Sequence, residues 1–413
     1  MITAFRGNSA LKDDIAYRAH LAAILRLENV GLLLGSGASV PAGGKVMRDL
    51  WADFVGSSPV SAAWLVTQKF VDAESVDSAA NLTTPNVEIL VDRLAIAMAE
   101  WERVQDAKLD LGKSVRADIF RAVVRASVLS KDRWTAASGV DQQDPGLAHH
   151  RSILQKLTAA RQPGQSSPWV FTTNYDLAIE WAAESIDMSV VNGFLGLHNR
   201  KFSPQSFDLG YRNTQARGEA RFGVYNIYLA KLHGSLTWTE VDGQYQEVQA
   251  ARAWPEISKF VEGKNDTLNY LVLPSAAKYV QTVGFVLGEL LRRFAEFLAR
   301  PQTSLVMAGY GFGDEHINRL LTSALLNPTL QLIIYLPEFT HPSELSALPP
   351  AVRRLLALQS PRITFVGGGS GAHLDALAEH LPDPAIYDEG LKSLEMKLRE
   401  LDKGDADAGS ASP

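Results

Sequence analysis

Three polar side chains follow apolar runs at points where the chain turns, and their types suit chemistry on a sugar or a phosphate. The segment FTTNYD (171–176) contains Asn174 and Asp176, and KLHGSLTW (231–238) contains His233. An amide donates and accepts hydrogen bonds, and an imidazole titrates near neutral pH, so together they can orient a hydroxyl or a water and move its proton. These three side chains are therefore the candidate catalytic residues.

Structural roles remain open for each of them. Asp176 precedes a helical pattern and suits an N-cap, a role that Asn174 fits less well. A lone histidine is more often structural than catalytic. The pair His149-His150 is a weak metal site, because adjacent residues on a helix point in different directions, and we expect it on a helix surface.

Two glycine-rich segments predict close backbone approaches. GSGAS spans residues 35–39, and MAGYGFGDEHIN spans 307–318. Glycine lacks Cβ, so the loop of Gly35 and Gly37 can turn sharply and bring N–H groups against phosphate oxygens. A complete dinucleotide fingerprint is missing, because Val40 occupies the position of the third glycine, and no Walker A loop follows. A tight turn between strand and helix remains the alternative.

The elements that must position these residues are short apolar strands followed by helical patterns. The predicted strands are 30–34, 169–174, 270–275, 304–311, 331–336 and 362–368, and the predicted helices that follow three of them are 177–186, 315–326 and 372–381. Runs of Val, Ile and Leu without alternation are typical of a parallel sheet buried on both faces. We therefore predict a doubly wound α/β domain whose ligand lies at the carboxyl ends of the strands.

The remaining segments differ from this pattern. Residues 46–160 have helical composition and little strand character, which predicts a helical insert domain, and 15–30 predict a helix leading into the first strand. Residues 187–270 are irregular apart from a hairpin that turns at Asp242-Gly243. The expected domains are 1–45 with 161–388 for the sheet, 46–160 for the insert, 389–403 for a C-terminal helix and 404–413 for a disordered tail.

Composition excludes several classes of function. The net charge is −6 and the pI about 5.9, so the surface as a whole does not attract nucleic acid. The chain has no cysteine, which rules out disulfides, thiolate nucleophiles and cysteine zinc sites. No signal peptide and no apolar run long enough to span a membrane are evident, so we expect a cytoplasmic protein without a membrane partner.

Taken in order, GSGAS, TTNYD, LHG and GYGFGD resemble motifs of the sirtuin superfamily. The similarity covers residues 30–45, 169–180, 230–238 and 304–320, with a weaker match in FVGGGSGAHLDALAEHL near the end. It implies a mostly parallel Rossmann-like sheet that binds NAD+ as a substrate. The resemblance also assigns residues to the dinucleotide. The pyrophosphate and the nearby ribose would be contacted by Gly35, Ser36, Gly37, Ala38 and Ser39, together with Thr173. The adenosine side would be lined by Gly309, Tyr310 and Gly311, and the adenosine ribose would be reached by Glu338.

Departures from the sirtuin pattern narrow the implied activity. Sirtuin deacylases usually carry a four-cysteine zinc module, and this chain has no cysteine. AGGKVMRDLW occupies the place of their Gly-Ile-Pro-x-Phe-Arg segment. Thr173 occupies a position where sirtuins usually have glutamine. The chain resembles bacterial sirtuin-like effectors of antiphage defence, which hydrolyse NAD+ and deplete it in infected cells. That resemblance implies no metal, a homo-oligomer and a separate protein partner, for which a HerA-type ATPase is favoured over a short Argonaute.

Two other classes of function stay open at the sequence level. An NAD-dependent protein deacylase or ADP-ribosyltransferase would use the same dinucleotide site. A sensor would bind NAD+ or ADP-ribose without turning it over, although a mere binder does not need both Asn174 and His233.

Overall fold

The protein is described here from a computed structural model. The structure describes residues 3–76, 84–136, 141, 143–162, 164–211, 214–215, 226–270, 283–346 and 348–383. The predicted C-terminal helix and tail lie outside these ranges. So does the predicted strand 270–275 beyond Tyr270, which forms an isolated bridge with Thr239.

Within the described ranges, thirteen strands form two sheets. The strands are β1 Thr3–Arg6, β2 Ser9–Ala10, β3 Asn29–Leu34, β4 Trp169–Thr172, β5 Ser189–Val191, β6 Phe194–Leu195, β7 Arg200–Phe202, β8 Asn226–Lys231, β9 Trp238–Val241, β10 Gln244–Glu247, β11 Thr303–Ala308, β12 Gln331–Tyr335 and β13 Ile363–Gly367. The large sheet has the order β2-β1-β13-β12-β11-β3-β4-β8-β5, and the small sheet has the order β6-β7-β10-β9.

The helices cover the large sheet or project from it. They are α1 Asp14–Ile24, α2 Met47–Ser57, α3 Pro59–Thr67, α4 Val87–Val104, α5 Lys108–Val128, α6 Lys131–Thr135, α7 Ala148–Ala159, α8 Ala178–Glu184, α9 Ala250–Val261, α10 Val283–Ala299, α11 Glu315–Ala324, α12 Pro350–Ala357 and α13 Leu374–His380. Among the described residues, no helix is both long enough and apolar enough to span a bilayer.

The large sheet confirms the predicted doubly wound α/β fold. All neighbouring strands from β13 to β5 pair in parallel, and the antiparallel pairs are those that β1 makes with β13 and with β2 at one edge. Strands β3, β4 and β11 are buried along their whole length, which is why their sequences are continuously apolar instead of alternating. An antiparallel pair at the N-terminal edge was not predicted, because neither strand is long enough to produce a pattern.

Strand order determines where a ligand can bind. The chain leaves β3 toward β4 on one side and returns on the other side of β3 as β11. At such a reversal the loops after the two strands diverge and leave a crevice at their carboxyl ends. The loop after β3 and the loop after β11 are the two glycine-rich segments, so the topology brings both to this crevice.

The helices between β3 and β4 include a group with its own core. Buried side chains of α2, α3, α4 and α5 form one cluster, centred on Trp51, Phe54 and Leu94. Helix α7 instead packs on α8 and α13 in the layer that covers the sheet. The exact boundaries of an insert domain stay a prediction.

Residues 187–270 are more regular than their composition indicated. The hairpin of β9 and β10 turns at Asp242-Gly243 as predicted, with positive φ of 52° and 73°. The small sheet around it was not predicted, since strands of two or three residues produce no periodic pattern. Helix α9 was not predicted either, and it contains Pro255, a residue type that usually interrupts a helix.

Candidate active site

A cavity of about 380 Å³ opens at the carboxyl ends of the adjacent strands β11, β3, β4 and β8. That volume lies within the range of about 300–1,000 Å³ that is usual for small-molecule sites. The sheet loops form one wall and the helical insert forms the other. The lining residues are Gly35, Ser36, Ser39, Gly44, Lys45, Met47, Leu50, Thr84, Pro85, Asn86, Val87, Glu88, Val91, Phe120, Val123, Ala126, Ser127, Thr173, Asn174, Tyr175, Asp176, His233, Tyr310, Gly311, Gly313 and Asp314.

The cavity gathers most of the residues that the sequence singled out. Those that line it are Asn174, Asp176, His233, Gly35, Ser36, Ser39, Thr173, Tyr310 and Gly311. Those that do not line it are Gly37, Ala38, Gly309 and Glu338. Glu338 follows β12, two strands away from β3 in the sheet, and its side chain is exposed.

Gly37 and Gly309 hold the two glycine loops against each other. Gly37 N donates to Gly309 O at 3.0 Å, and a Cβ on Gly309 would lie 2.2 Å from Ala38 N. Gly35 N and Ala38 N also donate to backbone carbonyls, those of Ala308 and Gly35. These three amides therefore donate inside the protein, and the contacts of Gly35, Gly37 and Ala38 with a pyrophosphate stay predictions. The glycines are required because the two backbones touch.

Asn174 lies at the centre of this loop region. Its Nδ2 donates to Gly35 O at 2.9 Å and to Ser39 Oγ at 2.8 Å, while its backbone N donates to Thr172 Oγ1. A carbonyl can only accept, so the contact with Gly35 assigns the nitrogen of the amide. Both amide hydrogens are occupied, so Oδ1 is the atom of this amide that can accept a further hydrogen bond.

Asp176 binds the start of α8, although the N-cap position of that helix is Leu177, and its catalytic role stays a prediction. Its Oδ1 accepts from Ala178 N at 3.0 Å, which satisfies an amide at the start of α8, and its Oδ2 accepts from Ser39 Oγ at 2.6 Å. The carboxylate thus orients Ser39, which in turn orients Asn174.

A buried lysine fixes the backbone of the same turn. Lys231 Nζ, whose side chain is 2% exposed, donates to Asp176 O and lies 2.8 Å from Glu180 Oε1. Burial raises the pKa of Glu180, and the charge of Lys231 opposes that shift. A charged residue that ends the apolar run of β8 is a signal for such a buried pair, although the sequence does not name its partner.

His233 lies between two carboxylates. Its Nε2 is 2.7 Å from Asp314 Oδ2, and its Nδ1 is 3.4 Å from Glu88 Oε1. Asp314 is also the N-cap of α11, accepting from His316 N and Ile317 N. Glu88 lies in the first turn of α4, so the helical insert completes a cluster that begins on the sheet. Sequence reasoning missed Glu88, because an acidic residue after the N-cap Asn86 signals only a helix start.

The three side chains of this cluster, His233, Asp314 and Glu88, shift one another's pKa values. Burial lowers the pKa of His233, but the hydrogen bond to Asp314 and the negative charge of Glu88 outweigh it, so the pKa is raised overall. Burial raises the pKa of Glu88, with His233 opposing and Asp314 adding to the shift. Burial acts in the same direction on Asp314, yet its bonds to His233 and to the amides of α11 hold the pKa of this carboxyl below its ordinary value. The imidazolium form therefore persists to higher pH than in a free histidine.

The insert supplies an apolar wall as well as a carboxylate. This side of the cavity is lined by apolar side chains of α2, α4 and α5, namely Leu50, Val91, Phe120 and Val123. Asn86 ties the insert to the sheet, since its Nδ2 donates to Gly313 O at 3.2 Å. A ligand in the cavity would contact both parts of the chain.

His150 departs from the expectation of a helix surface. It is 1% exposed in α7, beside a small internal void that Ser39, Asn174 and Asp176 also line. Burial lowers the pKa of His150 to about 4, and its Nδ1 has no hydrogen-bond partner among the described residues. The expectation was wrong because α7 packs under the loops of the site. Within the described ranges, no group of three or more His, Asp or Glu side chains is arranged to hold a metal ion.

One comparison with known proteins, the match to a family model, agrees with the sequence motifs. The family model of the SIR2-like domain matches residues 168–348, less than half of the chain, and this match supports a relation to the sirtuin-like superfamily. A solved structure described as a crystal structure of a Sir2 homolog–NAD complex is similar at 14% identity, with 88% of this chain and 93% of that chain covered and a TM-score of 0.39. A search of curated proteins found no match.

Proposed function

We propose that the protein hydrolyses NAD+ to nicotinamide and ADP-ribose in the cavity between the sheet and the helical insert. The observation that carries the proposal is that Asn174 and His233 line one cavity together with both glycine loops. The match to the SIR2-like domain supports a reaction that uses NAD.

The reaction breaks the bond between the nicotinamide nitrogen and the ribose carbon. The bonding electrons leave with nicotinamide, and the ribose carbon acquires positive charge until water adds to it and loses a proton. Carboxylates that are preorganised around a cavity stabilise such a charge. Glu88, Asp176 and Asp314 all line this one.

Charges on the wall also suit the rest of the dinucleotide. Lys45 is the one Lys or Arg among the described lining residues, and its Nζ is 3.1 Å from Oδ1 of Asp53 in α2. We propose that Lys45 binds the pyrophosphate. Some of the loop amides already donate to backbone carbonyls, so a cation is needed to balance the negative charge of the phosphates. Asn174 Oδ1 would accept from a ribose hydroxyl or from the attacking water.

Product analysis tests the proposal and separates it from its rivals. The full chain is incubated with NAD+ and an acetyl-lysine peptide, and the products are followed by NMR. Hydrolysis yields free nicotinamide and ADP-ribose. O-acetyl-ADP-ribose would instead identify a deacylase, labelled protein would identify an ADP-ribosyltransferase, and binding without nicotinamide release would identify a sensor.

On the resemblance to sirtuin-like effectors, we further propose that hydrolysis serves antiphage defence by depleting cytoplasmic NAD+. The chain would act as a homo-oligomer that is activated within a complex, with a HerA-type ATPase favoured over a short Argonaute. If the pure chain is silent, the assay is repeated with such an ATPase present; silence in both would overturn NAD+ hydrolysis.

A further inference from the structure

Glu88 is a carboxylate of the helical insert that enters the cavity beside the catalytic candidates of the sheet. Its side chain is 37% exposed, whereas those of His233 and Asp314 are 15% and 11% exposed. Its contact with His233 uses Oε1 at 3.4 Å, and His233 is its one ion-pair partner among the described residues. Glu88 is thus the most exposed member of this cluster of three side chains.

The imidazole is poorly placed to accept a proton itself. Its Nε2 is hydrogen-bonded to Asp314 Oδ2 at 2.7 Å, and its Nδ1 lies 3.4 Å from Glu88 Oε1. When both nitrogens are protonated, Nε2 donates to Asp314, Nδ1 carries its proton on the side of Glu88, and neither nitrogen has a lone pair to offer. A base that receives a proton from a substrate must reach it directly or through one water, and Glu88 is the member of the cluster with the largest exposed fraction.

We propose that Glu88 is the general base of the reaction and that His233, held by Asp314, positions it. This inference rests on the proposed hydrolysis. As the C–N bond breaks and nicotinamide leaves with its electron pair, water attacks the ribose carbon through its oxygen. One proton of that water passes to Glu88 and is released to solvent afterwards. The sum is NAD+ plus water giving nicotinamide, ADP-ribose and one proton, so atoms and charge balance.

The environment of Glu88 supports this role. Burial raises the pKa of its carboxyl above the ordinary range, which makes it a stronger base than an exposed glutamate. The positive charge of His233 opposes the shift, and His316 acts in the same direction. The negative charges of Asp314 and Asp92 add to the shift.

The test compares E88Q and E88A with the full-length wild-type protein. E88Q should lower kcat for nicotinamide release by about 10²–10⁴-fold, the usual worth of a general base, while the Kd for NAD+ changes little. The rise of activity with pH that reflects ionisation of Glu88 should vanish. Azide has no proton to lose, so it should restore nicotinamide release by E88A and form ADP-ribosyl azide, whereas it should not rescue Asn174→Ala.

Asp92→Asn is the matched control. Asp92 lies one turn after Glu88 on α4, burial raises the pKa of its carboxyl as well, and it does not line the cavity. Its negative charge adds to the raised pKa of Glu88, so Asp92→Asn should move the rise of activity to lower pH without abolishing it. The control should retain wild-type turnover and melting temperature. Wild-type kcat in E88Q, a change confined to KM, or no azide rescue would each overturn the role of Glu88.

A ligand-free measurement separates this inference from the proposed function. The charge of Glu88 raises the pKa of His233, so an NMR titration of histidine-labelled E88Q should show that pKa lowered relative to wild type. An unchanged titration would overturn the contact itself. A wild-type protein that never releases nicotinamide, with or without partner, would overturn the hydrolysis whatever the titration shows.

Discussion

The amide of Asn174 has its Oδ1 left to accept a hydrogen bond, because Gly35 and Ser39 accept both hydrogens of its Nδ2. Ser39 is itself oriented by Asp176, so three side chains from two loops keep one oxygen in place. Such preorganisation matters for catalysis because no reorganisation is needed at the moment of reaction.

Asn174→Ala should therefore lower nicotinamide release by about 10²–10³-fold, as removal of one preorganised polar group does elsewhere. The variant should fold, because the lost bonds lie at the cavity wall and not in the core. Turnover is measured by product NMR, with circular dichroism as the check on folding. A folded variant with near wild-type turnover would remove Asn174 from the reaction.

Gly309 and Gly311 differ in what a side chain would meet. A Cβ on Gly309 would clash with Ala38 N at a φ of +64°, whereas one on Gly311 finds nothing within 4 Å. Gly309→Ala should lower the free energy of unfolding by more than about 1 kcal/mol, and Gly311→Ala should leave it nearly unchanged. Denaturant unfolding of both variants checks this, and equal midpoints would contradict the loop contact.

At the scale of elements, Asp314 links a helix start to the histidine cluster. Its Oδ1 accepts from His316 N and Ile317 N, and its Oδ2 contacts His233. One carboxyl group therefore both begins α11 and sets the orientation of the imidazole.

Asp314→Ala should cost about 0.5–2 kcal/mol through the lost N-cap and should also lower the pKa of His233. Asp314→Asn keeps the capping oxygen but removes the charge, so it should preserve most of the stability and still lower that pKa. The two effects are measured by denaturant unfolding and by histidine NMR. Equal stability of the two variants would show that the cap contributes nothing.

The insert helices form a wall whose shape should control access. Val123→Phe adds bulk at the cavity side of α5, so it should raise KM for NAD+ or block binding. Leu111→Phe makes a comparable change at an exposed position of the same helix and should leave KM unchanged. Equal KM values in steady-state assays would mean that the apolar wall does not contact the substrate.

At the scale of the whole molecule, two histidines respond to pH in opposite directions. Burial lowers the pKa of His150 to about 4, below its unfolded value near 6.5. The unfolded chain then binds more protons, so stability falls as pH drops from about 6.5 toward 4. The pKa of His233 is raised, so its contribution is present below about 6.5 and is lost as pH rises through the folded-state pKa.

His150→Asn should remove the first of these effects. The variant is expected to lose less stability than wild type between pH 7 and pH 5, because it has no buried imidazole that titrates only on unfolding. Denaturant midpoints of both proteins at the two pH values provide the measurement. Parallel losses would indicate that carboxylates alone govern the acid response.

Much of this architecture follows from local sequence patterns. Continuous apolar runs predicted β3, β4, β11, β12 and β13, because a strand buried on both faces has no polar side to display. Glycines and polar residues after those runs predicted that Gly35, Asn174, His233 and Tyr310 meet at one sheet edge, since the carboxyl ends of parallel strands share that edge.

Only the tertiary structure decided the rest. The tertiary structure decides which loop amides already donate to backbone carbonyls, and it buries His150 under the loops. Both depend on contacts between distant parts of the chain. Glu88 is 145 positions from His233 in sequence, and no local pattern relates them; the fold of the insert brings the pair to 3.4 Å. Local sequence determines which elements form, whereas the partners of a charged side chain depend on how those elements pack.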